Sequence, residues 1–216
     1  MLSNDDFPTT HVNKLTEQIN NWLGEMIRKG QLPADSPQAS PTTASYELGE
    51  QFLMASLTDP EVHAVTSLDR DLSELVTATG RRHYQIKFKQ VAVAYARSLV
   101  ASDESLCQLF ATRLAPKVQE AIAWLDAREA EGSEFAEGSW RVRLVTIPPF
   151  HTHAFLIEKM QNGSDVALGD SYVLVVSAPD WLERLPRQRL LTTREFLLGL
   201  KDEVPILGLN AELQSS

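Results

Sequence analysis

The sequence predicts an α+β protein in which a helical N-terminal portion is followed by a three- to four-stranded antiparallel sheet and a closing C-terminal helix. Up to about residue 131, apolar residues recur at intervals of three and four, as is typical of helices. After residue 132 apolar and polar residues alternate, as is typical of strands. Since the two patterns are segregated along the chain, we expect α+β rather than a doubly wound fold.

The first predicted helix is amphipathic and occupies residues 1–30. Arg28 and Lys29 fall in its last turn, where cations complement the helix dipole, and Gly30 is a suitable terminating residue. Its apolar side consists of Val12, Leu15, Ile19, Trp22, Leu23 and Met26. We interpret this apolar side as a partner-binding surface and the helix as an arm. The alternative is that the helix packs on the body of its own chain, which is the commoner outcome for such a helix.

A proline-rich linker is predicted at residues 31–45. Pro33, Pro37 and Pro41 are embedded there among Ser, Thr, Ala and Gln, and such a composition buries too little apolar surface to offset chain entropy. Residues 46–216 then form an α+β globular domain, helical over 46–131 and sheet-containing over 132–216.

Four helical segments are expected between residues 46 and 131. They cover residues 46–57, 69–77, 84–99 and 102–125. Residues 83–88 also alternate like a strand, but the length of the periodic segment favours a helix. Pro116 lies inside the last segment and should kink it or split it in two.

The sheet is predicted from three alternating or apolar segments. Residues 140–144 alternate between apolar side chains and arginine, residues 151–160 form a second strand, and residues 172–177 form a third. Asn162-Gly163 is a hairpin turn signal between the second and third strands. Short connections of this kind indicate an antiparallel meander.

The closing helix is predicted to begin at Thr192 or Thr193. Either residue can cap a helix, and Glu195 is suitably placed in the first turn. Leucines and Phe196 follow at helical spacing.

Composition bounds the possible functions. The chain has 216 residues, 43% of them hydrophobic, and carries a net charge of −9, which disfavours nucleic acid as a partner. With a single cysteine, Cys107, no intrachain disulfide can form. The sequence shows neither a secretory signal nor an apolar run long enough for a membrane span. We therefore expect a cytoplasmic protein with no membrane partner.

One pattern points to metal chemistry. On a strand, His151 and His153 would lie on one face, where two imidazoles can bind a divalent transition metal such as zinc or iron. Candidates for a third ligand are Glu158, Asp165 and Asp170. The alternative is structural, because Phe155 and Ile157 share that face and favour packing.

A basic and aromatic cluster is the remaining candidate. It consists of Arg81, Arg82, His83, Tyr84, Lys87, Phe88 and Lys89. Basic and aromatic residues together can bind nucleic acid or an anionic peptide. A solvated basic face is the alternative, and on an acidic protein it is favoured.

No motif nominates a catalytic residue or an organic cofactor. The sequence therefore favours a non-catalytic regulatory or adaptor protein acting through protein–protein association. Its partner is another protein or a second copy of the chain, with a homodimer formed through the first helix. The alternative is a small metal-dependent enzyme or metal-binding protein that uses His151 and His153.

Overall fold

A computed structural model of the chain describes residues 2–3, 17–18, 20–21, 25, 28–29, 47–58, 71–88, 90–99, 108–110, 113–131, 135, 138–160, 167–182 and 185–201. The strands are β1 (Leu2–Ser3), β2 (Glu47–Ser56), β3 (Thr77–Phe88), β4 (Val91–Leu99), β5 (Gln108–Phe110), β6 (Ser139–Ile147), β7 (Thr152–Met160), β8 (Ala167–Ser177) and β9 (Leu190–Thr192). The helices are α1 (Leu72–Leu75), α2 (Leu114–Ala130) and α3 (Thr193–Lys201), with a 3-10 turn at Pro148–Phe150. Residues 17, 18, 20, 21, 25 and 28 are also helical.

The chain divides into two compact units, each discontinuous in sequence. Unit 1 comprises Met1–Ser3, Leu53–Thr79 and Ala121–Ser216, and unit 2 comprises Asn4–Phe52 and Gly80–Glu120. Strands β2 and β3 and helix α2 contribute residues to both. Within the described ranges, no helix combines the length and apolar character that crossing a membrane requires.

Unit 1 contains a mixed sheet centred on β6 and β7. Strand β6 pairs in parallel with β1 and with the end of β2, and antiparallel with β7. Strand β8 then pairs antiparallel with both β7 and β9. The 3-10 turn joins β6 to β7 and ends at His151, which has a left-handed backbone with φ of 48°.

Both faces of the unit 1 sheet carry buried side chains. On one face the apolar residues form a core cluster with α1 and α3, in which Leu72, Leu156 and Phe196 are fully buried. The opposite face carries an aromatic group, where the Phe135 ring meets Trp140 edge-on at 5.3 Å between centroids and Tyr172 at 6.1 Å. A strand covered on two faces needs few polar positions, and this explains the apolar runs of β7 and β8.

Unit 2 is built on the antiparallel hairpin of β3 and β4. The hairpin turns at Gln90, whose φ is 68°, and β5 pairs with the far side of β4. The first turns of α2 are fastened to the hairpin, because Gln85 Nε2 donates to Ala115 O at 3.0 Å and Gln119 Nε2 donates to Gln90 O at 2.8 Å. Gly49 on β2 lies close to the Lys87 side chain of β3. A residue with a Cβ atom at position 49 would place that atom 2.7 Å from Lys87 Cε.

The predicted fold class is wrong. Residues 46–57 and 84–99 form β2 and the β3–β4 hairpin instead of helices, so the N-terminal portion is not mainly helical. The sheet also has more strands than the three or four expected, and it includes parallel pairs. In residues 102–125 the structure shows β5 followed by α2, which begins at Leu114 and holds Pro116 in its first turn.

The error has a physical cause in the four-residue spacing. Residues i and i+4 lie on the same side of a helix and also on the same face of a strand. Tyr84 and Phe88 are four apart, as are Tyr95 and Leu99. The three-residue step from Phe88 to Val91, which favoured a helix, falls at the hairpin turn.

The C-terminal elements agree better with their predictions. Strands β6, β7 and β8 are antiparallel neighbours in sequence order, and α3 starts at Thr193. The short helix expected at 69–77 is α1. The linker at 31–45 and the Asn162-Gly163 turn lie outside the described residues.

Candidate functional site

A polar row crosses one face of the unit 1 sheet. We use this name for Arg141, Glu158 and Ser171, which occupy paired positions on β6, β7 and β8. Arg143 lies two residues further along β6, shares the face and is counted as a member of the row. Further along these strands the same face carries the apolar residues that pack against α1 and α3. The polar row therefore borders the hydrophobic core.

Glu158 is the buried centre of this row. Its side chain is 1% exposed, and Arg143 donates to both carboxylate oxygens, from Nε at 2.8 Å and from Nη2 at 2.6 Å. Arg141 donates to the same carboxylate from Nε at 3.2 Å. A buried carboxylate is tolerated only when it is paired in this way, and the fork with Arg143 fixes the geometry of the pair.

Charge is not balanced among these three side chains. Two guanidinium groups share one carboxylate, while the side chains of Arg141 and Arg143 remain 22% and 13% exposed. In the described part of the chain, Glu158 is the acidic residue that pairs with each of them. The row therefore carries an excess positive charge on a protein whose net charge is −9.

A second hydrogen-bonded group continues from the row at Ser171. Ser171 Oγ lies 3.0 Å and 3.1 Å from the two carboxylate oxygens of Asp71, and 2.7 Å from Thr193 Oγ1. Asp71 also caps α1 by accepting a hydrogen bond from Ser73 N at 2.8 Å. These contacts connect the starts of α1 and α3 to β8. We interpret the group as structural, since each polar atom is engaged in joining elements.

The two predicted metal ligands, His151 and His153, lie in different parts of the secondary structure. His151 is exposed and ends the 3-10 turn, whereas His153 is half-buried on β7 opposite Thr146 and Ser177. The hypothesis assumed that both stand on one strand, and His151 precedes β7 with a left-handed backbone. Among the described residues no three His, Cys, Asp or Glu side chains are grouped for a metal ion. Asp165 lies outside those residues, and the metal hypothesis stays a prediction.

The predicted partner-binding residues Val12, Leu15, Ile19, Trp22, Leu23 and Met26 lie outside the described residues. Polar positions between them are described and helical. Glu17, Asn21, Glu25 and Arg28 are exposed, and Lys29 Nζ lies 3.5 Å from Glu25 Oε2. In the segment predicted as the first helix, residues 17, 18, 20, 21, 25 and 28 are helical, whereas Leu2 and Ser3 form β1.

The basic and aromatic cluster does not form one surface. Arg82 and Tyr84 are buried at 6% and 2% exposure, so the tyrosine ring is closed to a stacking base. Lys87 forms an ion pair with Glu50 on β2, and Arg81 is exposed. Lys89 and Cys107 lie outside the described residues.

Large exposed apolar side chains mark two places on unit 1. Trp181 is 43% exposed, with its ring 6.3 Å from that of the buried Phe150, and Leu198 on α3 is 37% exposed. Trp181 directly follows Pro179 and Asp180. The structure places it on the surface.

The polar row was missed in the sequence, although a signal for it exists. Glu158 directly follows the apolar run of residues 154–157. An acidic residue in a buried strand needs a cationic partner. The alternation of Arg141 and Arg143 with apolar residues predicts the strand but not the acidic partner of the two arginines.

No protein-family model matches the chain, and neither a curated protein nor a solved structure shows significant similarity to it. The functional proposals therefore depend on the residues of this chain.

Proposed function

We propose that the chain is a non-catalytic regulatory or adaptor protein that acts through protein–protein association, with its first helix as the contacting element. Its partner is a second copy of the chain or another protein. The supporting observation is that Glu17, Asn21, Glu25 and Arg28 are helical and exposed. At 100° per residue these four positions fall on one side of a helix.

The apolar residues of this segment occupy the other side of the helical pattern. Leu15, Ile19, Trp22 and Met26 are spaced by three and four residues, out of phase with the exposed positions. A helix with such a side is stable in water only when that side is covered. The apolar side can be covered by the chain itself, by a second copy of the chain or by another protein. In the last two cases the helix mediates association.

Trp181 supports association independently. Trp181 is 43% exposed, so a large apolar area of its side chain is in contact with water. Tryptophan is also enriched among the residues that dominate binding energy at interfaces. Partner binding at Trp181 would cover that area.

Point substitutions test the proposal better than a truncation. Deleting residues 1–44 would also remove β1, which pairs with β6, and would therefore disturb the sheet. We compare the double variant Leu15→Ser with Met26→Ser against the matched polar-side variant Glu17→Ser with Glu25→Ser. Sedimentation velocity over a range of protein concentrations measures self-association.

The wild-type chain is expected to form dimers, and the apolar-side variant should dissociate more readily by a factor of about a hundred or more, because two buried side chains each contribute about 1.5–3 kcal/mol. The polar-side variant should match the wild type. A monomeric wild type, or equal loss in both variants, contradicts self-association through this helix.

The proposal includes a cytoplasmic location, on the basis of the single cysteine, and the net charge of −9 disfavours nucleic acid as the partner. The metal alternative has a direct test. Elemental analysis of protein purified without chelators would support it by showing a stoichiometric transition metal that is lost in His153→Ala.

A further inference from the structure

We propose that Arg141 and Arg143 form a binding site for the carboxylate or phosphate group of a small ligand. The site lies on the polar row of unit 1, and Glu158 is its positioning residue. This inference is independent of association through the first helix.

The first support is the unused donor capacity of Arg141. A guanidinium group has five N–H donors in a rigid fork. Arg143 donates to Glu158 from Nε and Nη2, whereas Arg141 donates to it from Nε. Among the described residues, the contact with Glu158 leaves the Nη atoms of Arg141 available, and paired N–H groups of this kind match the geometry of an oxyanion.

The second support is positioning. A free arginine loses much side-chain entropy when it binds a ligand. Glu158 is 1% exposed and holds the Nε end of Arg141 at 3.2 Å, so part of that entropy is already lost before a ligand arrives. The remaining 22% exposure of the Arg141 side chain lets an anion reach it from solvent.

The third support is charge. One carboxylate cannot neutralise two partly buried guanidinium groups, and an incoming anion would supply the missing negative charge. Asp71 approaches the row from the Ser171 side, and its oxygens accept hydrogen bonds from Ser171 and Ser73. An anion is therefore expected at the Arg141 end of the row, away from the Asp71 carboxylate.

The probes are inorganic phosphate and acetate, each titrated into the full-length protein at constant ionic strength with chloride as the balancing ion. The readouts are the thermal unfolding midpoint and the NMR signals of the arginine Nε–H groups. Arg141→Gln removes the proposed donor. Arg189→Gln is the matched control, since Arg189 is an exposed arginine that also contacts one carboxylate, Glu195, at 3.0 Å.

The wild type should show saturable binding of at least one probe, and Arg141→Gln should weaken it by about tenfold or more, as expected for loss of a charged hydrogen bond. Arg189→Gln should bind like the wild type. Arg141→Lys keeps the charge without the fork and should show an intermediate loss. Binding of phosphate alone would assign the site to a phosphate group, and binding of acetate alone would assign it to a carboxylate.

Two results would overturn the site. One is a wild type whose response to both probes stays linear and equals its response to chloride. The other is an Arg141→Gln variant that is folded by circular dichroism and binds as tightly as the wild type.

Discussion

Glu158 shows how one side chain determines the character of its surroundings. On β7, Glu158 lies between the buried apolar residues Leu156 and Met160, yet its carboxylate is engaged by two arginines from β6. Desolvation of the carboxylate is offset by these charged hydrogen bonds, and loss of the carboxylate would leave two cations without their partner. The residue is therefore more important for stability than an exposed ion pair such as Arg189 with Glu195.

We expect Glu158→Ala to lower the free energy of unfolding by about 3 kcal/mol, because it leaves partly buried positive charge unpaired. Urea denaturation followed by circular dichroism measures the change. Arg141→Gln, which preserves the fork between Arg143 and Glu158, should cost about 1 kcal/mol. Equal stability of Glu158→Ala and the wild type would show that the carboxylate does not hold the arginines.

At the scale of elements, α3 has the cap that its sequence predicts. Glu195 N donates to Thr192 Oγ1 at 3.2 Å, and Thr192 N donates to Glu195 Oε2 at 2.8 Å, which together form a capping box. The backbone and side-chain hydrogen bonds from Thr192, with a smaller contribution from the charge of Arg189, lower the pKa of Glu195 against the opposing effect of desolvation.

This lowered pKa makes the cap sensitive to acid. A carboxyl group with a lower pKa in the folded state stabilises the protein above its unfolded pKa, about 4.3, and the contribution is lost as the pH falls through the folded value. The stability difference between the wild type and Glu195→Gln should therefore shrink below about pH 4.3. Thermal unfolding of both proteins across that range measures it, and a constant difference would contradict the assignment.

Local patterns predicted some elements and failed for others. Strand β6 was predicted because arginine alternates with apolar residues at a period of two, a spacing that no helix shares. Strand β2 was mistaken for a helix because Leu48 and Phe52, like Leu53 and Leu57, are four apart. Burial on both sides of a strand removes the polar positions that would have revealed the shorter period.

Long-range pairing explains what the sequence could not predict about the whole molecule. Leu53 of β2 lies beside Arg143 of β6 in a parallel pair, and no local signal encodes a partner so distant along the chain. The polar row was hidden for a related reason, since its members come from three strands. The change from helices to a sheet predicted at residue 132 followed the local pattern, whereas strands β2 to β5 precede that residue.

We expect a fragment of residues 132–216 to be unfolded on its own. It contains β6 to β9 and α3 but lacks Ala55 and Leu57 of the β2 segment and Leu72 and Leu75 of α1, which belong to the same core cluster. Amide dispersion in an NMR spectrum measures folding, and adding residues 1–131 in trans should restore it. A well-dispersed spectrum of the fragment alone would contradict this dependence.

The parallel pair of β2 and β6 also determines when the protein can fold during synthesis. Strand β2 leaves the ribosome well before β6 is translated. Until then, the apolar residues of β2 are exposed in the nascent chain without the strand that they pair with. Parallel contacts between distant segments form slowly, and the waiting strand is open to aggregation. Translation speed and the supply of chaperones that shield nascent chains should therefore govern how much native protein a cell obtains.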